Sequence, residues 1–507
     1  MHFQPSAPSE SGSEHLWEAP TRDQLAVVHL VAEYWPFART GGLAEAVRGM
    51  ATFQAASGTA VTIFMPLYEP IRQDYHELEL IWGPYSVQVG PRSEEARLYA
   101  LPGPRSNPRV LFVDHPEYFS RPGLYGDPMA GDYVDNAQRF AFFNMAAISA
   151  LGEMVDPPVV VHAHDWHTAL APIFLRNVFA DREPYRSMAT VLSVHNAAFQ
   201  GHYRPEILAD LGLADDLYDW RLLEWYGQVN LLKGGLAFSD FATTVSPTHA
   251  HELRTRAGGF GLHDAFCHMQ DRFLGIRNGI DLNVWDPATD PEIAAPYSVE
   301  DLTGKAECKK ALQEEWGLPI EPDVPVFGMT ARMVAQKGID IILADDMLLR
   351  HRAQFLFLGS GEPQYEQALS LVAEAAPDRI VLDTDFQESK EHRLMAGSDI
   401  LLMPSQYEPC GLTQMRAQIY GALPVARRVG GLADTIDDQV TGFLFDDYGP
   451  EGLERGIARA ISLYVGPRKV WEAHMRVAMS RDFGWTGPAQ RYLDVYTEAL
   501  EVHSRAN

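Results

Sequence analysis

Alternation between short apolar runs and helical stretches is the feature that most constrains the fold of this chain. The first series of runs spans Ala26–Tyr34, Val61–Pro66, Arg109–His115, Pro158–His164, Ala189–His195 and Asp240–Ser246. The second series spans Pro325–Thr330, Gln354–Gly361, Arg379–Leu382, Asp399–Ser405 and Leu423–Val429. Such alternation is typical of parallel sheets flanked by helices. The sequence therefore predicts an α/β protein with two doubly wound domains in tandem.

Chain length and a change in composition set the expected domain boundaries. The 507 residues exceed the size at which single cores stop growing, and the segment between the two series is rich in proline and acidic residues. We expect a first domain at 22–290, a linker at 291–324 and a second domain at 325–484. Residues 485–507 are expected to form a helix that packs back on the first domain, with one apolar face of Tyr492, Val495, Tyr496 and Ala499. Ligands bind beyond the carboxyl ends of parallel strands, so a cleft between the domains is the expected site.

Charge and cysteine content narrow the partners and the compartment. The chain has 41 Lys and Arg against 68 Asp and Glu, a net charge of −27, which disfavours nucleic acid and anionic membranes as partners. Its three cysteines stand far apart, which suits a reducing compartment. Residues 1–21 are polar and acidic, and we expect a flexible tail without a signal peptide. No apolar run approaches the roughly 18 to 20 residues of a membrane span, so we expect a cytoplasmic protein.

A cation precedes a glycine pair that opens a helix in the stretch FARTGGLAEA. Arg39 stands just before Gly41 and Gly42, and apolar residues then recur at helical spacing. Amides at a helix start lack intrahelical partners and lie at the positive end of the helix dipole, so with a guanidinium beside them they suit an anion. A tight turn alone is the alternative, because the stretch matches neither G-x-G-x-x-G nor G-x-x-x-x-G-K-[ST].

A second cationic cluster follows the apolar run that opens the second domain. Arg332 and Lys337 lie in the stretch TARMVAQKGID. A planar guanidinium binds phosphate oxygens bidentately and a lysine supplies a mobile charge, so the pair could hold a diphosphate. A solvated surface loop is the alternative interpretation of the same spacing.

The loop after the run Asp399–Ser405 places a carboxylate next to a helix start. Glu408 precedes the start formed around Gly411, Leu412 and Thr413. In one interpretation the carboxylate only complements the helix dipole. In the other, the helix amides take a phosphate while Glu408 faces the reacting group.

Three histidines and an aspartate in the stretch VHAHDWH invite a metal interpretation. Their order is H-x-H-D-x-H, and no downstream set of His and Asp completes a site. His162 and His164 lie on the same side of a strand, so Asp165 and His167 at its tip are expected to face substrate. A metallohydrolase that uses His162, His164 and Asp165 is the alternative. His195, at the end of the next strand, is either a structural hydrogen bonder or a catalytic group.

Taken together, these motifs resemble those of bacterial glycogen synthases and plant starch synthases. They run in the family's order from about Ala26 to Thr435 and include RTGGLAEAV, DHPEYFSRPGLYG, VHAHDWHTALAP, VHNAAFQG, YGQVNLLKGGLAFSDFATTVSPTHAHEL, RNGIDLNVWDPATD, TARMVAQKGIDI, FLGSGEP and AGSDILLMPSQYEPCGLTQMRAQIYGALPVARRVGGLADT. The resemblance implies a retaining glucosyltransferase of the GT-B architecture, in which two Rossmann-like domains enclose an active-site cleft. It implies neither a catalytic metal nor a cofactor.

The resemblance also implies roles for individual residues. Arg332 and Lys337 would clamp the donor's diphosphate, and Glu408 would lie beside the glucose as its anomeric carbon becomes cationic. Asp165 and His195 would position that glucose. Further donor contacts would come from Arg39, Gly41, Gly42, Cys410, Gly411, Leu412 and Thr413. Sugar and acceptor contacts would come from Glu45 and Asn278.

Three positions depart from the family pattern. The family loop reads K-x-G-G-L, with a lysine tied to preference for ADP-glucose, where this chain has Arg39. Glu45 replaces the usual aspartate, and Arg416 stands where related transferases with the E-x7-E pattern have their second acid. Arginine keeps the charge of lysine but not its shape. The donor preference therefore stays open between ADP-glucose and UDP-glucose.

The resulting hypothesis is a cytoplasmic glucan synthase. It would transfer glucose from ADP-glucose to the non-reducing end of an α-1,4-glucan, with retention of the anomeric configuration. In the implied route the acceptor attacks the face that the diphosphate leaves, so electrostatics and positioning carry the catalysis. The alternatives are the same chemistry with UDP-glucose or mixed donors, and a glucan-binding homologue with weak catalysis.

Overall fold

A computed structural model describes residues 25–102, 107–127, 131–154 and 159–506. The predicted tail, residues 1–21, lies outside the described residues. Within the described ranges, no helix is both long and apolar enough to cross a membrane.

The first domain is built on a nine-stranded sheet in the described part of the chain. Its strands run in the order β14-β13-β9-β8-β1-β2-β5-β4-β3, and all neighbours are parallel except β5-β4 and β4-β3. Small antiparallel sheets, β10-β12-β11 and β6-β7, complete the domain. The strands are β1 Ala26–Leu30, β2 Ala60–Pro66, β3 Glu79–Val89, β4 Arg92–Ala100, β5 Arg109–Asp114, β6 Gly126–Asp127, β7 Gly131–Asp132, β8 Val159–His164, β9 Ala189–Val194, β10 His202–Tyr203, β11 Glu224–Trp225, β12 Gln228–Asn230, β13 Phe241–Thr244 and β14 Phe273–Gly275.

Helices connect these strands and cover the sheet. They are α1 Gly42–Ala56, α2 Glu69–Asp74, α3 Pro116–Phe119, α4 Asn136–Met154, α5 Leu170–Asn177, α6 Ile207–Leu211, α7 Leu231–Phe238, α8 Pro247–Leu253 and α9 His263–His268. Alternate residues of β1 enter two different cores, since Val28 and Leu30 pack in one and Val27 in the other. A strand buried on both faces is what a doubly wound sheet requires.

The second domain is built on a six-stranded parallel sheet with the order β17-β16-β15-β18-β19-β20. Its strands are β15 Val326–Thr330, β16 Gln354–Leu358, β17 Ile380–Asp383, β18 Ile400–Met403, β19 Leu423–Arg427 and β20 Phe443–Phe445. The remaining helices are α10 Thr303–Glu315, α11 Ile339–Ile342, α12 Met347–Arg350, α13 Pro363–Ala375, α14 Glu388–Gly397, α15 Thr413–Ile419, α16 Gly430–Thr435, α17 Pro450–Tyr464, α18 Arg468–Met479 and α19 Thr486–Ala506.

Each sheet has one switch point, where the strand order reverses direction. In the first sheet it lies between β1 and β8, and in the second between β15 and β18. Loops that follow the two strands beside a switch point open a crevice at the carboxyl edge of the sheet, where ligands bind in this class of fold. Those four loops carry Arg39, Asp165, Arg332 and Glu408. The topology therefore gathers the candidate residues of each domain at one edge.

The structure differs from the sequence prediction in several places, of which three bear on the architecture. The first strand ends at Leu30 rather than continuing to Tyr34. The antiparallel pair β3 and β4 lies at one edge of the first sheet, where the sequence analysis proposed no strand. The segment 291–324, taken as a linker, contains α10, which packs against α14 and buries Cys308 and Leu312.

The C-terminal helix α19 returns to the first domain. Tyr492, Val495, Tyr496 and Ala499 are all fully buried in a core that they share with Val27 and with residues of α1. Helix α19 also contacts β8, β9 and β13. The last segment of the chain thus closes one face of the first sheet.

Candidate active site

The loop between β1 and α1 is held by a buried carboxylate. Glu33, only 4% exposed, accepts hydrogen bonds of 2.6 Å from the Thr40 amide, the Thr40 hydroxyl and the Tyr125 hydroxyl. Helix α1 begins at Gly42, and a Cβ on that glycine would lie 3.8 Å from Leu412 of the second domain. The amides of the first turn have no intrahelical partner. Glu33 therefore fixes a helix start that faces the other domain.

Arg39 lies in this loop among acidic and aromatic side chains. Its guanidinium is 2.6 Å from the Glu45 carboxylate and 3.5 Å from the carboxylate of Glu388 in the second domain. It also lies over the ring of Trp35, with 4.5 Å to the centroid, a geometry in which a guanidinium is attracted to the aromatic face. The side chain remains 22% exposed, so the cation is oriented but still reachable from the cleft.

Glu45 joins the two domains through Arg416. One Glu45 oxygen pairs with Arg39 and the other accepts a hydrogen bond from Arg416. Arg416 is also 3.2 Å from the Glu391 carboxylate and lies 4.1 Å above the Trp285 ring. Burial opposes the charge of Arg416, but Glu45 and Glu391 outweigh it and raise the pKa of the guanidinium. We call Arg39, Glu45, Arg416 and Glu391 the charge network.

Asp165 follows β8 in a strained backbone conformation beside His195. Its φ of 57° is positive, which is uncommon for a non-glycine residue and is often found at functional sites. The carboxylate accepts hydrogen bonds from the His195 amide (2.6 Å) and the Asn196 amide (3.3 Å). Burial raises the pKa of Asp165 to about 7, although those two backbone hydrogen bonds oppose the shift. The carboxyl group is thus held rigidly and titrates near neutral pH.

Four buried histidines lie behind this strand edge: His29, His162, His164 and His195. The first three have nitrogens within 4.8 Å of one another, a spacing that a metal ion could bridge. Every ring nitrogen of those three is hydrogen-bonded to another side chain, and Asp165 is not part of the group. His167, expected to face substrate, is 8% exposed and stacks on Tyr125 at 4.5 Å between centroids. The cluster is organised as a hydrogen-bonded core.

In the second domain, two cations follow β15. The Lys337 ammonium lies 2.6 Å from the Glu408 carboxylate, which also accepts a hydrogen bond of 3.1 Å from the Ser405 hydroxyl. Glu408 is 7% exposed. Arg332 is exposed and forms no ion pair with any residue that the structure describes. The pair with Lys337 holds the Glu408 carboxylate in one orientation. The Arg332 guanidinium is available to an anionic ligand.

Glycines allow the Glu408 loop to approach the start of α16. Gly430 has a φ of 42°, and a Cβ there would overlap the carbonyl oxygen of Glu408. The Gly431 amide donates a hydrogen bond of 3.0 Å to the same oxygen. Gly411, with a φ of 70°, precedes Leu412 and the helix start at Thr413. The Glu408 carbonyl is therefore held at the start of α16, where only a glycine fits at position 430.

Asn278 and Cys410 are buried together beside this loop, each 4% exposed. The Asn278 side-chain oxygen has no hydrogen-bond partner among the described residues. Burial raises the pKa of the Cys410 thiol to about 12, so the thiol stays neutral and is not a nucleophile. The Asn278 oxygen can accept a hydrogen bond from a ligand.

Contacts beyond the charge network also connect the domains around the cleft. The Thr248 hydroxyl donates a hydrogen bond of 2.6 Å to Asp434. The Gly430 amide donates one of 2.9 Å to the Glu252 carboxylate. With these contacts in place, the loops of the two switch points face each other.

Sequence reasoning missed three residues that shape the site: Glu33, Glu391 and Trp285. An acid at the end of a buried apolar run is unusual, so Glu33 could have been recognised from the sequence. Glu391 and Trp285 give no such signal, because each reaches the charge network only through the packing of distant segments.

Two family models match most of the chain. One described as "Starch synthase catalytic domain" matches residues 26–268, and one described as "Glycosyl transferases group 1" matches residues 324–462. A glycogen synthase of Anaeromyxobacter sp. (strain Fw109-5) is 40% identical over 479 residues, which cover 93% of this chain and 99% of that protein. A glycogen synthase of Syntrophotalea carbinolica is 38% identical over 486 residues, which cover 94% and 100%.

Solved structures of glycosyltransferases also align with nearly the whole chain. The catalytic domain of starch synthase IV from Arabidopsis thaliana, bound to ADP and acarbose, aligns with a TM-score of 0.86 and 32% identity, over 94% of this chain and 100% of that chain. Sucrose-phosphate synthase from Thermosynechococcus elongatus aligns with a TM-score of 0.60 and 17% identity, over 94% and 100%. The second likeness concerns the fold alone.

Proposed function

Because this chain belongs to the glycogen and starch synthase family of glycosyltransferases, we propose that it transfers glucose from ADP-glucose to the non-reducing end of an α-1,4-glucan with retention of the anomeric configuration. One observation carries the proposal: loops of the two domains meet, since Glu45 of the first domain pairs with Arg416 of the second and Arg39 pairs with Glu388. In the proposed cleft, Arg332, Lys337 and Glu408 would lie on the side of the second domain, and Asp165 and His195 on the side of the first. A nucleotide sugar laid between them would have its diphosphate at the cations and its glucose at the acids.

The diphosphate would be bound by charge and by helix amides. Arg332 forms no ion pair with the residues that the structure describes, so its fork can take two phosphate oxygens. Lys337, which pairs with Glu408, and the start of α15 would add to this binding, and the buried Asn278 oxygen would accept a hydrogen bond from a hydroxyl of the sugar donor. As the diphosphate leaves, its negative charge grows, and cations already in place stabilise that charge without rearrangement.

Retention would follow from attack on the face that the diphosphate leaves. The departing phosphate oxygen then accepts the proton of the acceptor hydroxyl, so no protein nucleophile is required. Glu408, held by Lys337 and Ser405, would stabilise the positive charge that develops at the anomeric carbon. Asp165 and His195 would hold the glucose so that the acceptor hydroxyl meets the correct face.

The choice of ADP-glucose is supported by the relative that was solved with ADP bound. Arg39 stands where the family lysine is expected and keeps its positive charge. Because its guanidinium pairs with Glu45 and Glu388, a phosphate would have to compete with these acids for it. UDP-glucose, or use of both donors, is the nearest alternative.

The test compares release of nucleoside diphosphate from ADP-glucose and UDP-glucose, with glycogen as acceptor and a chelator present. Release of ADP at a much higher rate than UDP supports the proposal, and Arg39→Lys should keep that preference. Preference for UDP-glucose would keep the chemistry and overturn the donor. Binding of glycogen without release from either donor would favour a glucan-binding homologue with weak catalysis, an alternative motivated by the departures at Arg39, Glu45 and Arg416.

A further inference from the structure

A continuous series of hydrogen bonds leads from His195 to the C-terminal helix. His195 Nε2 is 3.0 Å from His164 Nδ1, His164 Nε2 is 3.0 Å from His29 Nδ1, and His29 Nε2 is 2.9 Å from Gln54 Oε1. The amide nitrogen of Gln54 is then 2.8 Å from the hydroxyl of Tyr496 on α19. We call these five side chains the histidine chain.

The series continues beyond Tyr496 without changing direction. The Tyr496 hydroxyl is 2.8 Å from His162 Nδ1, and His162 Nε2 is 2.7 Å from the Ser193 hydroxyl. Because Tyr496 accepts from Gln54, its own proton can be donated to His162 Nδ1, which is nearer and a stronger acceptor than the Met50 sulfur at 3.8 Å. Ser193 lies 2.6 Å from the Thr243 hydroxyl. Each group can therefore donate to the next one.

Burial keeps these imidazoles neutral. It lowers the pKa of His29 to about 4 and that of His195 to about 3, and it lowers the pKa of His162 and His164 well below the usual range. A neutral imidazole has one N–H donor and one acceptor nitrogen. Fixing the donor of one ring therefore fixes the donor of every ring that follows.

Gln54 sets the direction of the histidine chain. Its amide oxygen only accepts hydrogen bonds, so His29 must donate through Nε2 and accept through Nδ1. His164 must then donate through Nε2, and His195 must also donate through Nε2. No group in the described part of the chain is hydrogen-bonded to Nδ1 of His195. That nitrogen is left as an acceptor, on a residue whose backbone amide donates to the Asp165 carboxylate.

We propose that His29, Gln54 and Tyr496 are positioning residues, which act through His164 to hold His195 in the tautomer whose Nδ1 accepts a hydrogen bond from a hydroxyl of the transferred sugar. The inference rests on the proposed function, because the sugar supplies that hydroxyl. None of the three residues needs to touch substrate. The histidine chain also makes the docking of α19 part of the organisation of the active site.

The experiment compares Gln54→Met with Gln54→Glu. Methionine offers no acceptor to His29, and an unsatisfied buried N–H is costlier than an unsatisfied lone pair. We expect Gln54→Met to reverse the histidine chain, so that His195 carries its proton on Nδ1. The value of kcat/KM for ADP-glucose should fall about tenfold, as expected for one lost hydrogen bond to the sugar. Glutamate keeps the acceptor, so Gln54→Glu should keep the tautomer and stay within about threefold of wild type.

The tautomer is read from two-bond ¹H–¹⁵N correlation spectra of protein labelled with ¹⁵N-histidine, in which the His195 signals are assigned by their loss in His195→Gln. This measurement needs no substrate, so it separates a failure of the histidine chain from a failure of the proposed donor or reaction. Thr497→Val is the control, because it removes a hydroxyl from the exposed face of α19 that donates to the Leu493 carbonyl and lies outside the histidine chain. It should change neither the spectrum nor kcat/KM.

Two results would overturn the inference: an unchanged Nε2-protonated His195 in Gln54→Met, or equal losses of kcat/KM in the Met and Glu variants. Should neither Gln54 variant fold, Tyr496→Phe tests the same point. Without the Tyr496 hydroxyl the Gln54 amide can take both orientations, so His195 should give signals of both tautomers. A single wild-type signal in Tyr496→Phe would contradict the inference.

Discussion

Arg332 is the residue on which the proposed charge stabilisation depends most directly. It is exposed and, among the described residues, has no ion-pair partner. We expect Arg332→Ala to lower kcat/KM for the sugar donor by about 10² to 10³, because a charged contact in the transition state is worth several kcal/mol. Arg332→Lys should recover part of the loss, since lysine keeps the charge but not the fork. Arg352→Ala is the control, because the Arg352 side chain is 83% exposed and lies outside the candidate site. Unchanged kcat/KM in Arg332→Ala would refute the assignment.

Asp165 predicts a pH dependence of stability. Its native pKa of about 7 lies above the unfolded value of about 3.9, so between about pH 4 and 7 the native state holds more protons than the unfolded state. The resulting stabilisation is complete below about pH 4 and is lost as the pH rises through 7.

Asp165→Asn removes this titration, so the difference in thermal unfolding midpoint between pH 5 and pH 8 should be smaller in the variant than in wild type. Asp447→Asn, at an aspartate whose side chain is 83% exposed, should leave the wild-type difference intact. If Asp165→Asn has the same difference as wild type, the carboxyl does not titrate as described.

At the scale of elements, the Glu408 loop depends on the glycines that open α16. A Cβ at Gly430 would overlap the carbonyl oxygen of Glu408, and its φ of 42° disfavours any other residue. We expect Gly430→Ala to displace Glu408 from Lys337 and to lower kcat by about 10² or more, since small misplacements of catalytic groups are costly. Gly487→Ala is the control, because a Cβ there meets nothing within 4 Å. Equal kcat in both variants would show that the loop tolerates the displacement.

Most strands could be predicted because the sheets are parallel and buried. Strands such as β8 and β16 are buried at every position and largely apolar, so the pattern alone identified them. Strand β3 escaped notice because Gly83 and Pro84 interrupt it, and both residues argue against a strand interior. Helix α10 was hidden by its proline-rich surroundings. Local patterns identify elements reliably where burial is continuous, and poorly at an edge or a junction.

The candidate site could be predicted only in part, because some of its contacts form only when distant segments of the whole molecule pack together. Loops such as the one carrying Arg332 are identified by their own motifs, and both parallel sheets bring such loops to one edge. The partners of Arg416 could not be predicted, because Glu45 and Glu391 are distant in sequence and meet it only through domain packing. The histidine chain has the same origin, since it joins β1, β8, α1 and α19.

Closure of the two domains should depend on the charge network. Glu45 is its only member in contact with both arginines, so Glu45→Gln should weaken the link between the domains. We expect the variant to have a larger radius of gyration in small-angle X-ray scattering. We also expect a higher ratio of donor hydrolysis to glucose transfer, because an open cleft admits water. Glu374→Gln, at an exposed glutamate on α13, should behave as wild type. A compact Glu45→Gln variant with unchanged hydrolysis would contradict this role.

The proposed transfer of glucose to a glucan with retention is tested most directly by identifying the new linkage itself. Maltoheptaose and ADP-glucose would be incubated with the protein, and the anomeric protons followed by ¹H NMR as ADP appears. We expect longer chains whose new linkages are α-1,4 from the first turnover, with loss of the signal in Arg332→Ala. A β-linked product, or release of ADP with free glucose and no chain growth, would contradict it.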